Sequence, residues 1–124
     1  MQLRNSLYEI ASRQDTADGG VAYELTLHAD HVIYRAHFPS LPVTPGVCLV
    51  QMACELLEDD LARPLQIVRV KNVKFLSVVS PVETPHITCT LRKIALDETD
   101  GSVSMQAQIT ADDRAMAKIS MVCR

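Results

Sequence analysis

His37, Gln51 and Glu55 are the residues of this 124-residue chain whose types and spacing suit proton chemistry. His37 lies in "RAHFPSLPVTPGV", a stretch stiffened by Pro39, Pro42 and Pro45, each of which fixes φ and lacks an N–H. An imidazole titrates near neutral pH, so His37 can serve as a base. Gly46 follows, in the first turn of a predicted helix, where N–H groups have no intrahelical acceptor and the helix dipole is positive. A residue without a Cβ lets a ligand come close to those donors, and such a turn can polarise a carbonyl oxygen. Gln51 and Glu55, at i and i+4, share one face of the same helix. The same residues also fit a plain strand-to-helix loop with a capping histidine and a solvated polar stripe. Spacing alone leaves both readings open.

The element that must carry these groups is "GVCLVQMACELLEDDLA". Val47, Val50, Cys54, Leu57 and Leu61 recur at spacings of three and four, and Leu49, Ala53 and Leu56 form a second apolar row. Thr44 reads as the N-cap and Pro45 as the first helical residue, with Pro64 closing the segment. Glu58, Asp59 and Asp60 stand at the unfavourable end of the dipole, which predicts a fraying last turn. A helix this apolar must be covered on more than one side. Polar side chains close to its N-terminus would then face a pocket or an interface.

The cover is supplied by strands. "VAYELTLHAD", "HITCTLRK", "SVSMQAQIT" and "RAMAKISMVC" all alternate apolar and polar residues with period two. "ADD" between the last two reads as a tight hairpin, and "DETDG" at 97 to 101 is a further turn signal. "QIVRVKNVKFLSVV" is strand-like, with a phase break that predicts a bulge near Lys71 and Asn72. The N-terminal segment is a weaker strand. The order is one or two strands, one long helix, then four strands, which is an α+β arrangement of a curved antiparallel sheet around a helix.

Composition sets the outer bounds. This length is that of one domain and allows roughly 65% of the unfolded chain's surface to be buried. Net charge is −3, against nucleic acid as the main partner. No apolar run is long enough to span a membrane, and the first residues lack a signal peptide's apolar core, so a cytoplasmic protein is expected. Cys48, Cys54, Cys89 and Cys123 have no paired metal-ligand spacing and fall at apolar positions, which reads as buried reduced thiols. His28, His31 and His86 read as local polar residues, and no metal site is expected. Arg69, Lys71, Lys74, Arg92 and Lys93 fit either solvated strand charges or a surface for an anionic partner.

At "HFPSLPVTPGVCLVQMACE" the residues become recognisable. His37, Phe38, Pro39, Pro42, Val43, Pro45, Gly46 and Val47 match the signature of the β-hydroxyacyl-acyl carrier protein dehydratases of the hotdog fold, which the stretch resembles. The later "VKNVKFLSVVSPVE" looks like that family's strand with a basic-Phe pair and a Pro-containing turn. The resemblance implies a single hotdog domain over residues 1–124. It also implies a hydro-lyase of fatty-acid or related acyl-chain synthesis that converts a 3-hydroxyacyl thioester into a trans-2-enoyl thioester. The substrate would be carried on acyl carrier protein or coenzyme A, the assembly would be a homodimer or a set of dimers, and no cofactor or metal is implied. In the family the histidine takes the α-proton and the Pro-Gly backbone N–H holds the thioester carbonyl. An acidic residue fourteen positions after the histidine, on the partner subunit's helix, protonates the leaving hydroxyl. Carried over, His37 is the base, while Phe38, Pro45, Gly46 and Val47 line the substrate.

The acid departs from the pattern. Fourteen residues after His37 stands Gln51, whose amide has no proton to give, and Glu55 stands where the family often has Gln. Ser40 replaces the family's usual Gly. Two expectations follow: Glu55, one turn deeper, supplies the acid; or the chain is a hotdog acyl-thioesterase or a non-catalytic acyl-carrier binding module.

Overall fold

A computed structural model describes residues 2–124. Its elements are β1 (Tyr8–Asp15), β2 (Val21–Leu27), α1 (Ile33–Ala36), α2 (Gly46–Leu61), β3 (Ile67–Phe75), β4 (His86–Leu96), β5 (Val103–Ala111) and β6 (Arg114–Cys123). The strands form one antiparallel sheet in the order β1-β2-β4-β5-β6-β3. After β2 the chain leaves the sheet, runs through both helices and re-enters at the far edge as β3. That crossing lays α2 against the sheet's inner face.

Period-two alternation sends one side of each central strand to the helix. Val21, Tyr23, Leu25 and Leu27 of β2, Ile87, Cys89 and Leu91 of β4, and the inward residues of β5 and β6 form one core with α2. The core is aliphatic and sulfur-rich, with all four cysteines buried and free. Asp112 and Asp113 both adopt positive φ in the tight β5–β6 hairpin, and Gly101 does so in the β4–β5 turn. The register of β3 slips between Val70 and Asn72, where the phase break predicts a bulge, and again between Ile67 and Arg69.

Both ends of α2 correct the sequence reading. Thr44 is not the cap. Pro45 takes that place with extended backbone, and the buried Thr44 hydroxyl pairs with the Tyr34 hydroxyl at 2.9 Å. The last turn does not fray, because each of its acids has a partner. Glu58 accepts the Leu65 N–H at 2.7 Å, Asp59 pairs with Arg4 and accepts the Tyr23 hydroxyl at 2.7 Å, and Asp60 pairs with Arg13. Ala62, in the left-handed region, ends the helix before Pro64. The one-turn α1 has no clear signal in the sequence pattern.

The edge strand β3 contributes almost nothing to the core. None of its residues is buried, and Val68, Val70, Val73 and Phe75 stay open to solvent, as do Leu76 and Val78 just beyond. No helix among the described residues is long and apolar enough to cross a membrane.

Candidate active site

His37 ends α1, and the stretch from there to Thr44 is pinned at several points. The His37 carbonyl accepts the Val43 N–H at 2.9 Å, and Phe38 and Leu41 exchange backbone hydrogen bonds. The Thr44 N–H reaches the carbonyl of buried Val79 at 2.8 Å. The buried Tyr34–Thr44 hydroxyl pair joins α1 to the start of α2. His37 is therefore held beside the helix N-terminus. Its ring stacks on exposed Phe38, with centroids 4.5 Å apart.

The Pro45 carbonyl accepts the N–H groups of Cys48 and Leu49 at 3.0 and 3.2 Å. The Gly46 and Val47 N–H groups precede these and have no intrahelical acceptor. Phe75, from the end of β3, lies over this turn: a Cβ built on Gly46 would stand 2.4 Å from the Phe75 Cζ. His37, Pro45, Gly46, Leu49, Phe75 and Val79 are among the walls of a cleft of about 370 Å³. The cleft combines an imidazole, open backbone donors and apolar walls. That set can take up a proton and polarise a carbonyl in one small space.

The remaining candidates are not among the residues that line this cleft. Val47 is exposed at 68% and Phe38 at 52%, both larger than a finished apolar pocket would leave open. Glu55 is only 3% exposed and lines a different cleft, with Arg4, Glu58 and Asp59. Its Oε2 accepts the Leu3 N–H at 2.8 Å and the Gln51 Nε2 at 3.0 Å. Its Oε1 accepts the Arg4 N–H at 2.8 Å and the Tyr8 hydroxyl at 3.0 Å. Neither Gln51 nor Glu55 is among the residues lining the His37 cleft.

Other sequence candidates find local roles. His28 bonds the Ser6 carbonyl, His31 accepts the Ile33 N–H, and His86 pairs with Thr26. Among the described residues no three His, Cys, Asp or Glu side chains are placed to hold a metal. Lys74 and Arg92 line a shallow groove with Lys118 on the sheet's outer face, without an acidic neighbour in it. Arg69 and Lys71 lie in another groove, shared with Asp97 and Asp100. Tyr34 was not singled out from the sequence, and Phe75 entered only as the Phe of the basic-Phe pair, with no role at the cleft. Their contacts with Gly46 and Thr44 follow from tertiary structure and leave no local spacing to read.

The comparisons with known proteins bear on the family and the fold. Two curated 3-hydroxyacyl-acyl-carrier-protein dehydratases, both FabZ, are similar over 96 residues. The one from Rickettsia canadensis (strain McKiel) is 27% identical, over 69% of this chain and 67% of its own. The one from Rickettsia rickettsii (strain Sheila Smith) is 26% identical, over 69% and 66%. The chain thus spans about two thirds of the length of these relatives. Among solved structures, the dehydratase heterocomplex ApeI:P from Xenorhabdus doucetiae superposes with a TM-score of 0.64 at 22% identity, covering 93% of this chain and 96% of that one. A mutant thioesterase from Pseudomonas aeruginosa superposes at 0.63 with 15% identity, covering 90% and 77%. At these identities the two structures establish the shared fold. The family model described as ApeI dehydratase matches residues 12–118, nearly the whole domain, and the chain belongs to this ApeI-like dehydratase family of the hotdog fold.

Proposed function

We propose that the chain dehydrates a 3-hydroxyacyl thioester to the trans-2-enoyl thioester in fatty-acid or related acyl-chain synthesis. The thioester carbonyl lies against the Gly46 and Val47 N–H groups, which stabilise the enolate that forms when the α-proton leaves. His37 removes that proton. Phe38, Pro45 and Phe75 flank the acyl chain. One observation carries the reading: the loop holding His37 is tied to the open first turn of α2, so base and carbonyl donors share one cleft.

The site is completed across a homodimer, or within an assembly of dimers. The apolar edge β3 pairs with its mate, which covers a strand that would otherwise be an aggregation hazard. A neighbouring copy's α2 then brings Gln51 and Glu55 toward His37. The thioester is borne by acyl carrier protein, whose acidic surface meets Lys74, Arg92 and Lys118, or by coenzyme A. The reaction needs no cofactor or metal, and we place it in the cytoplasm.

The test is steady-state hydration of crotonyl-coenzyme A and longer enoyl thioesters, run beside an assay for released thiol. Wild-type protein should hydrate without releasing thiol, and His37→Ala should lose ~10²–10⁴-fold. Thiol release without hydration would make the chain a thioesterase. Tight acyl-carrier binding with neither reaction would make it a binding module.

A further inference from the structure

Two thiols meet in the core, and the proposed dehydration uses neither. Cys54, in the middle of α2, and Cys123, the last residue of β6, are each no more than 1% exposed, and both are free. The Cys123 thiol donates to the Cys54 sulfur at 3.7 Å, and the Cys54 thiol donates onward to the Leu65 carbonyl at 3.9 Å. The two residues stand 69 positions apart, so only the packing of α2 against the sheet brings them together. Cys48 and Cys89 are buried too, but among the described residues no hydrogen bond joins either to a second sulfur.

Contact makes the two sulfurs unequal. A hydrogen bond from Cys54 to the Cys123 thiolate lowers the ionisation of Cys123, against the opposing effect of burial. The same bond, and then burial, push Cys54 up. Cys123 is therefore the readier nucleophile, with a protonated thiol held against it. Its place in the fold also gives a small oxidant a way in. Cys123 pairs with Ile67 of the edge strand β3, none of whose residues is buried. Only the paired backbone hydrogen bonds of Gln66 and Arg124, 2.9 and 3.2 Å, lie beyond that rung. A strand end with so few buried contacts opens locally at low cost.

We propose that Cys54 and Cys123 form a redox-active pair that closes to a reversible disulfide in the presence of a peroxide and fastens α2 to the sheet. The Cys123 thiolate attacks one peroxide oxygen as the O–O bond breaks, which leaves a sulfenic acid on Cys123. The departing hydroxide takes a proton and becomes water. The Cys54 thiol then loses its proton and attacks the sulfenic sulfur. The S–S bond forms, the S–O bond breaks, and the departing hydroxide takes that proton to give a second water. Two thiols are oxidised to one disulfide and one hydrogen peroxide is reduced to two waters. The sulfurs have only to close from 3.7 Å to about 2.05 Å. A small dithiol restores both thiols by exchange, which suits a compartment where disulfides are transient. The pair does not depend on the dehydratase reading.

The test treats the full chain with hydrogen peroxide under native conditions, alkylates the remaining thiols in denaturant and maps the peptides by mass spectrometry. A Cys54–Cys123 linked peptide should dominate, two of the four thiols should remain, and dithiothreitol should return all four. The same chain oxidised in urea should spread over several pairings, since proximity there is lost. The oxidised chain should unfold at a urea midpoint higher by about 1 M or more, because the cross-link closes a long loop. Cys123→Ala should show neither the linked peptide nor the shift. Thiols that all persist at a peroxide dose sufficient to oxidise the unfolded chain would overturn the proposal. So would a different pairing, sulfinic acid in place of a disulfide, or a linked chain with an unmoved midpoint. If Cys123→Ala does not fold, the wild-type map in native buffer against that in urea still decides, and the same distribution in both would overturn the proposal.

Discussion

A methyl group at position 46 sets two effects of opposite sign against each other. Replacing a helical glycine with alanine stabilises a helix by about 0.5–1 kcal/mol. The added Cβ would also stand 2.4 Å from the Phe75 Cζ, so the ring must turn away. Phe75 is half exposed and has room to do so. Gly46→Ala should therefore change stability by no more than about 1 kcal/mol in urea unfolding, while kcat/KM for hydration falls at least tenfold because the methyl stands beside the carbonyl donors. Unchanged turnover would show that the thioester carbonyl lies elsewhere. This half of the candidate site was legible in the sequence, because His37, Pro45 and Gly46 are local in the chain and line one cleft. Glu55 was conspicuous as an acid in an apolar run, but its partners were hidden. Two of them are the backbone N–H groups of Leu3 and Arg4, and a backbone donor more than fifty positions away leaves no mark on the sequence pattern.

The acidic row of α2 was misread at the element scale for a similar reason. Seen alone, Glu58, Asp59 and Asp60 oppose the helix dipole. In the fold they meet the N-terminal segment, β1, β2 and the chain just past the helix, which supply Arg4, Arg13, the Tyr23 hydroxyl and the Leu65 N–H. Strands and hairpins were legible because a two-residue period reports burial directly. The cap was not, because Thr44 had a competing partner in Tyr34. The helix's contact with the two strands also sets a pH limit. Tyr8 is raised by burial and then by Glu55, and Tyr23 by burial and then by its bond to Asp59. Both keep their protons in the folded chain above about pH 10, where unfolded tyrosines ionise. The unfolded state then binds fewer protons than the folded one, so stability falls as pH rises past that point. Urea unfolding between pH 9 and 11 should show this loss in wild type and a shallower one in Tyr8→Phe. Equal slopes would mean that Tyr8 does not contribute.

The whole molecule decides whether a chain with His37 in one cleft and the Gln51–Glu55 pair outside it can act at all. Among the described residues neither Gln51 nor Glu55 lines the His37 cleft, and β3 leaves a row of valines and Phe75 in solvent. The proposed pairing of two copies through β3 would answer both, and a two-fold axis would make the two sites equivalent. Such sharing predicts complementation. His37→Ala and Gln51→Met each disable both sites of their own homodimer. Mixed, unfolded together and refolded, they form hybrids in which one site carries both lesions and the other carries neither. With random pairing half the dimers are hybrids, and each has one intact site of two, so activity should return to roughly a quarter of wild type. Sites built within single chains give no such recovery, because every chain in the mixture carries a lesion. The measurement is crotonyl-coenzyme A hydration before and after refolding the mixture, with sedimentation velocity confirming dimers. Recovery to the expected level would place His37 and Gln51 of one working site on different chains, and no recovery from a dimeric mixture would confine each site to one chain.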